Sequence, residues 1–351
     1  MSYFRQNIDL MSGYQPGEQP PAGVKVIKLN TNENPYPPSP KALQVMQNLD
    51  GELLRRYPDP MAGEFREAAS QVLGVPKEWI LVGNGSDDLL TMLMRACADR
   101  DRNVVYPMPT YVLYRTLAEI QDGRIAEIPY DDDYQLPVER LIAANGAVTF
   151  IASPNSPSGT SIPLELLDKL AAHLSGILVV DEAYVDFAES TALPLVQKYD
   201  NVIILRTLSK GYSLAGLRLG FGIAQPSLLE GLIKVKDSYN VDAIAYRVGA
   251  AALLDQDYKI ANAEKIKTSR SKLTNNLEQL GFKVLPSQAN FLLAQPSKKP
   301  AEWLYQNLKS QGILVRYFKQ PQLEDKLRIT VGTEEENAAL IKALTQLCES
   351  D

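Results

Sequence analysis

The chain has 351 residues, 45% of them hydrophobic and 22% charged, which is enough apolar material for a sizeable core at a length that favours two unequal domains. A formal charge of −6 and a pI near 5.2, with no basic block, exclude a general affinity for nucleic acid or for an anionic membrane surface. Two cysteines far apart, Cys97 and Cys348, and the single histidine, His173, leave no histidine-based metal site or triad.

No secretory or transit pattern opens the chain and no apolar run reaches bilayer length, so a cytoplasmic protein is expected. Residues 1–40 are rich in Pro, Gly and Asn and end in LNTNENPYPPSP (Leu29–Pro40). They are expected to form an extended arm rather than a helix, with Asn30, Asn32, Glu33 and Asn34 either forming turns or lying over a neighbouring surface. Helical spacing follows in PKALQVMQNL, is broken by RRYPDP (Arg55–Pro60, containing Tyr57) and resumes over Ala62–Leu73.

Trp79–Val82 then reads as a short strand, Gly83–Gly85 as a tight turn and Ser86 as the N-cap of a helix running to Ala98. Such a turn offers backbone N–H groups and a positive dipole end to a phosphate, although glycines at these junctions also serve steric needs. Strand Asn103–Tyr106, helix Pro109–Ala118, strand Arg124–Ile128 and helix Val138–Ala144 continue the alternation. Ala147–Ala152, Leu164–Leu174, Ile177–Val180, Leu193–Lys198 and Val202–Leu205 complete it. Strands of this Val/Ile-rich kind describe an α/β unit with a mostly parallel sheet covered on both faces, whose ligands gather beyond the carboxyl ends of the strands.

The chemical candidates fall at those ends. Tyr111, in MPTYVLY, is either a core aromatic or a flat surface for a ring. The rigid turn SPNSPSGT places Asn155 at its apex, where its amide would face the crevice. Asp181, just past an apolar strand, is an N-cap or a buried carboxylate with a cationic partner, and Tyr184 packs or donates a hydrogen bond. Val202–Leu205 delivers Arg206, Thr207 and Ser209 directly in front of Lys210, with Arg218 eight residues on. Low polarity disfavours an ammonium, so a lysine in this setting suits attack on a carbonyl. Thr207, Ser209 and Arg218 supply donors for an anion. A carbonyl compound bearing a phosphate satisfies both halves, and pyridoxal 5′-phosphate is such a compound.

Past Asp237 the elements alternate more loosely, as in a smaller α+β domain: a long helix Asp257–Leu280, helix Ala301–Gln311, strands Ile313–Tyr317 and Leu327–Val331, and a closing helix from Glu334. The expected division is an arm at 1–40 returning to the small domain, a large domain at 41–245 and the small domain at 246–351. Arg316 and Arg328 lie on the small domain's strands, where arginine either snorkels to solvent or binds anionic substrate groups.

The segment TLSKGYSLAGLRLG (Thr207–Gly220) resembles the cofactor-lysine motif of the fold-type-I pyridoxal-phosphate aminotransferases, and the whole chain is similar to their histidinol-phosphate branch. Tyr14, Asn32, Asn34, Tyr57 and Asn290 carry the likeness to that branch. The resemblance implies that Ser86, Asp87, Thr207, Ser209 and Arg218 hold the cofactor phosphate, that Tyr111 stacks on its ring, and that Asn155, Asp181 and Tyr184 tune the ring. Lys210 would bind the cofactor covalently and then move the substrate's Cα proton. Arg328 matches a substrate-anchoring arginine and Arg316 a phosphate contact, with Tyr14 and Asn34 also at the substrate. A homodimer is implied, in which Tyr57 reaches the partner chain's cofactor phosphate. The expected reaction is transfer of the amino group of L-histidinol phosphate to 2-oxoglutarate in histidine biosynthesis. The rivals are an aromatic-amino-acid transaminase, a threonine-phosphate decarboxylase and a non-catalytic binding module of the same fold.

Overall fold

The computed structural model describes residues 2–13, 17–20, 23, 26–131 and 134–349; Tyr14 lies outside them. The arm is not wholly extended, because Gln6–Leu10 forms a short helix. It docks on the end of helix Leu113–Ile120, where Arg5 Nη2 donates to the Ile120 carbonyl (2.8 Å) and Asn7 Nδ2 to that of Glu119 (2.7 Å). Both are last-turn carbonyls, beyond the helix's own ladder; that of Glu119 also accepts from the Asp122 N–H (3.1 Å), and the arm supplies the donor for Ile120. Further along, the arm contributes strand β1 (Ile27–Lys28).

The large sheet is built from β2 (Ile80–Gly83), β3 (Asn103–Met108), β4 (Arg124–Pro129), β5 (Gly146–Ala152), β6 (Ile177–Asp181), β7 (Val202–Thr207) and β8 (Gly220–Ala224), in the order β2-β8-β7-β6-β5-β3-β4. Successive residues of the central strands feed opposite faces, as the two-residue period of a strand requires. Val179 and Ile203 pack in one core cluster, while Val180 and Ile204 pack in the other. The expected mostly parallel α/β sheet is therefore what forms. Its one reversed strand, β8, pairs antiparallel with both β7 and β2. Sequence reasoning missed it because the two glycines of GFGIA dilute the apolar signal.

Local boundaries also shift. The helix expected from Pro109 begins at Leu113, since β3 pairs with β4 as far as Met108 and Thr110 is held by a side-chain bond to Asn155. The residue capping helix Ser86–Cys97 is Gly85 rather than Ser86.

The smaller sheet comprises β9 (Lys283–Val284), β10 (Phe291–Gln295), β12 (Arg316–Tyr317) and β13 (Leu327–Thr330), antiparallel in the order β12-β13-β10-β9. A single strand over Ile313–Tyr317 was expected. It is divided instead, because β11 (Ile313–Leu314) turns away to pair with β1 of the arm, a partner that lies at the other end of the sequence. Leu29 packs into the small domain's core beside Ile313 and Ile329. The division at 245/246 falls inside helix Ala243–Leu253, whose buried face joins the large-domain core, whereas Ala263, Ile266 and Leu273 of the next helix join the small-domain core.

Candidate active site

The strand register brings the candidates to one edge. Ala152 pairs with Asp181 and Asp181 with Leu205, so the turn after β5, the last residue of β6 and the segment after β7 leave the sheet side by side. Above this edge lies a cleft of about 240 Å³, floored by the large domain and walled by the arm and the small sheet.

An anion cup occupies one end. Helix Ser86–Cys97 points its N-terminus into the cleft, and its first turn carries N–H groups with no intrahelical acceptor. Gly85 has φ of 79° and ψ of 166°, a conformation essentially confined to glycine. A Cβ there would stand 2.7 Å from Arg218 Nη2. Arg218 donates through Nη1 to Ser209 Oγ (3.4 Å) and through Nη2 to Asp87 Oδ2 (3.3 Å). Thr207 Oγ1 donates to Ser209 Oγ (2.9 Å). The Asp87 carboxylate also accepts from the Tyr111 hydroxyl (3.4 Å), so what Asp87 can offer an anion directly is its main-chain N–H.

Lys210 is half-buried beside the cup, and desolvation, aided by the charges of Arg328 and Arg218 and opposed by Glu33 and Asp87, lowers its pKa from 10.5 to about 8. Its Nζ donates to the Thr31 carbonyl (3.1 Å), while the arm's Asn34 grips the lysine's main chain, Nδ2 donating to the Lys210 carbonyl (3.0 Å). Asn34 therefore positions Lys210 and does not line the cleft, contrary to its expected place at the substrate. Asn32, held by Thr330 and by Asn290 Nδ2 (3.0 Å to its carbonyl), donates to the Tyr184 hydroxyl (2.9 Å). Burial raises the pKa of Tyr184, keeping it a neutral phenol.

Asp181 is buried at the end of β6 with a pKa raised from 3.8 to about 6, desolvation outweighing two donors: the Tyr114 hydroxyl on Oδ2 (2.7 Å) and the Ala183 N–H on Oδ1 (3.1 Å). Of the two readings left open by the sequence, the carboxylate is buried, but in place of the cationic partner it has two neutral donors, a phenol and a main-chain N–H. Sequence reasoning missed Tyr114. Fully buried and stacked on Phe150 (4.9 Å between centroids), it looked like an ordinary apolar position of its helix. Tyr111 lines the cleft and meets Tyr114 edge-on (5.6 Å).

The small domain supplies Arg316 and Arg328, both lining the cleft. Arg328 donates to Ser156 Oγ (3.1 Å) and to the Asn30 carbonyl (2.9 Å).

Two expected residues stand elsewhere. Asn155 is fully buried behind the wall; its Oδ1 accepts from Thr110 (2.8 Å) and its Nδ2 donates to Ser158 Oγ (2.9 Å) and to the Pro109 carbonyl (3.2 Å). Its amide is used in fastening two loops together instead of facing the crevice. Tyr57 lies on the outer surface, 82% exposed and stacked on Tyr239 (4.6 Å). Among the described residues no cluster of potential metal ligands occurs, and no helix is long and apolar enough to cross a membrane.

Residues 24–344 match the family model for class I and II aminotransferases. Over 346 residues the chain is 64% identical to histidinol-phosphate aminotransferase 1 of Trichormus variabilis, covering 99% of each protein. It is 45% identical over 347 residues to the histidinol-phosphate aminotransferase of Citrifermentans bemidjiense, again covering 99% of each. Among solved structures, histidinol-phosphate aminotransferase from Sinorhizobium meliloti in complex with pyridoxal-5′-phosphate matches with a TM-score of 0.91 at 29% identity, over 99% of this chain and 98% of that one.

Proposed function

The chain belongs to the class I and II aminotransferases, and from that premise we propose that it transfers the amino group of L-histidinol phosphate to 2-oxoglutarate, yielding imidazole acetol phosphate and L-glutamate in histidine biosynthesis. Its cofactor is pyridoxal 5′-phosphate. The observation that carries this reading is the meeting, on one cleft, of a half-buried amine, a buried carboxylate, an anion cup and two guanidiniums.

The residues fit that cofactor. The helix terminus at Ser86 and Asp87, with Thr207, Ser209 and Arg218, suits a phosphate, and the cup's glycine at 85 leaves Arg218 the space that a Cβ would fill. When bound, pyridoxal phosphate supplies an aldehyde that takes up an amine and a ring that withdraws the electron pair left at Cα when its proton departs. Lys210 would provide the amine and, once displaced by substrate, would take the Cα proton and deliver it to the carbon of the cofactor's former aldehyde, on the far side of the intervening nitrogen, a task suited to a pKa near 8. Asp181, oriented by Tyr114 and Ala183, would keep the ring nitrogen protonated. Tyr111 would supply a flat surface for the ring, and Tyr184, fixed by Asn32, a donor for its oxygen.

Arg316 and Arg328 receive the anionic groups of both substrates. Histidinol phosphate has a phosphate and no carboxylate, while glutamate has two carboxylates and no phosphate, so one guanidinium pair serves both shapes. A homodimer completes the proposal. Residues 43–57 expose Leu43, Met46, Leu54 and Tyr57, an apolar patch suited to a two-fold interface that would carry Tyr57 to the partner's cup. A phosphorylated, membrane-impermeant substrate agrees with a cytoplasmic setting. Initial rates with 2-oxoglutarate and, in turn, histidinol phosphate, phenylalanine and tyrosine test the assignment. Histidinol phosphate is expected to give the highest kcat/KM, and faster turnover of either aromatic acid would overturn the substrate while leaving the reaction class standing.

A further inference from the structure

The pairing of β12 with β13 sets Arg316 directly opposite Arg328. Residues directly opposite in an antiparallel pair project to the same face with their Cβ atoms about 4.5–5.5 Å apart, and like charges so placed repel. Hydrogen bonds from Arg328 to Ser156 Oγ and to the Asn30 carbonyl fix its direction.

Phe318 lies two residues beyond Arg316, just past the end of β12. The guanidinium carbon of Arg316 lies 5.3 Å from the centroid of its ring and that of Arg328 5.5 Å, so one aromatic ring serves two cations. A second ring, Phe291 of β10, takes Arg328 at 5.3 Å, but Phe291 is fully buried in the core, whereas Phe318 itself lines the cleft. The negative face of an aromatic ring attracts a guanidinium without neutralising it, unlike a carboxylate, which would compete with the incoming anion. Both arginines thus bear on a single ring in the wall of the cleft.

We propose that Phe318 is a positioning residue whose ring holds Arg316 and Arg328 together as one anion-binding pair, able to take a phosphate or a carboxylate. The inference rests on the reading of these two arginines as the substrate-anion site. It assigns no chemistry to Phe318, which acts through the guanidiniums.

The test uses holoenzyme reduced with borohydride, so that the cofactor's own phosphate fills the cup, and titrates inorganic phosphate and glutarate by calorimetry. Phe318→Leu keeps an apolar side chain and removes the ring face. Its dissociation constants for both anions are expected to rise about five- to thirty-fold. Phe318→Tyr, which keeps the ring, is expected to stay within about two-fold of the wild type. In the active enzyme, KM for both substrates should rise with the dissociation constants while kcat changes less than about two-fold. The proposal is overturned if Phe318→Leu binds both anions as the wild type does, if Leu and Tyr weaken binding equally, if kcat falls with KM unchanged, or if the wild type binds neither anion. An enzyme that prefers aromatic donors in the rate comparison, yet shows the Leu and Tyr pattern here, would refute the substrate assignment and leave the role of Phe318 intact.

Discussion

Replacing Asp181 by Asn should stabilise the cofactor-free protein, and only above a definite pH. In the folded chain the carboxyl titrates near pH 6 because burial outweighs its two donors, while in the unfolded chain it titrates near 3.8. Below about pH 4 both states hold the proton and the group contributes nothing to the balance. Between those values the unfolded state releases its proton while the folded state keeps it, so stability falls as pH rises, and above about pH 6 the full cost stands. A rise from 3.8 to about 6 corresponds to roughly 3 kcal/mol. Asparagine removes the titration while retaining both contacts: its Oδ1 accepts from the Ala183 N–H and its Nδ2 donates to the Tyr114 hydroxyl, which turns to accept. Urea unfolding of both cofactor-free proteins, from about pH 4 to about pH 8, should give curves that meet at the acid end and diverge to roughly 3 kcal/mol in favour of the variant by about pH 7. A constant offset across the range, or a wild type that is the more stable at pH 7, would refute the reasoning. With pyridoxal phosphate present the order should reverse, because the carboxylate that burdens the empty fold is the one proposed to hold the ring nitrogen's proton.

Covalent attachment of pyridoxal phosphate to the cofactor-free protein, trapped with borohydride, should speed up about ten-fold per pH unit and level off near pH 8, because Lys210 attacks as the neutral amine. Arg328→Gln should move that plateau to higher pH by removing one of the charges that lower the pKa of Lys210, and a rise that continues to about pH 10 in the wild type would mean the amine is effectively solvated. Gly85→Ala should cost about 1–3 kcal/mol in urea unfolding, from backbone strain, and weaken cofactor binding by displacing Arg218; a variant with wild-type stability and affinity would show that the cup adapts. Mixing Lys210→Ala chains with Tyr57→Ala chains should produce hybrid dimers with one fully equipped site, and activity no higher than the average of the parents, when both dimerise, would confine Tyr57 to its own chain.

The sequence exposed the large domain well because its strands are apolar runs that end abruptly in polar residues, Asp181 after Ile177–Val180 and Lys210 after Val202–Leu205. What it hid depends on pairings between distant residues. The bond between Tyr114 and Asp181 spans 67 residues, and a tyrosine on the buried face of a helix gives no sign of where its hydroxyl ends. The split of residues 313–317 depends on a partner at 27–28. Asn155 was correctly placed on a turn, but the direction of its amide is set by Thr110, a residue of another loop. For the same reason Asn34, read as a substrate contact, is found holding the main chain of Lys210.

The arm also imposes an order of events during synthesis. Its inner segment is fastened almost entirely by residues made late: Ile27 pairs with Ile313, the Thr330 N–H donates to the Leu29 carbonyl (2.9 Å) and Asn290 to that of Asn32 (3.0 Å). Every element of the anion cup, by contrast, lies between Gly85 and Gly220. A nascent chain can therefore assemble the cup and Lys210, with Arg5 and Asn7 docked on helix Leu113–Ile120, while residues 27–29 still lack their partners Ile313 and Thr330. The strand of the arm is seated only once the small domain is made. A chain interrupted before residue 313 keeps the lysine but lacks the strand that brings Thr31 and Asn34 to it, so the amine is set in its final position only when synthesis is nearly complete.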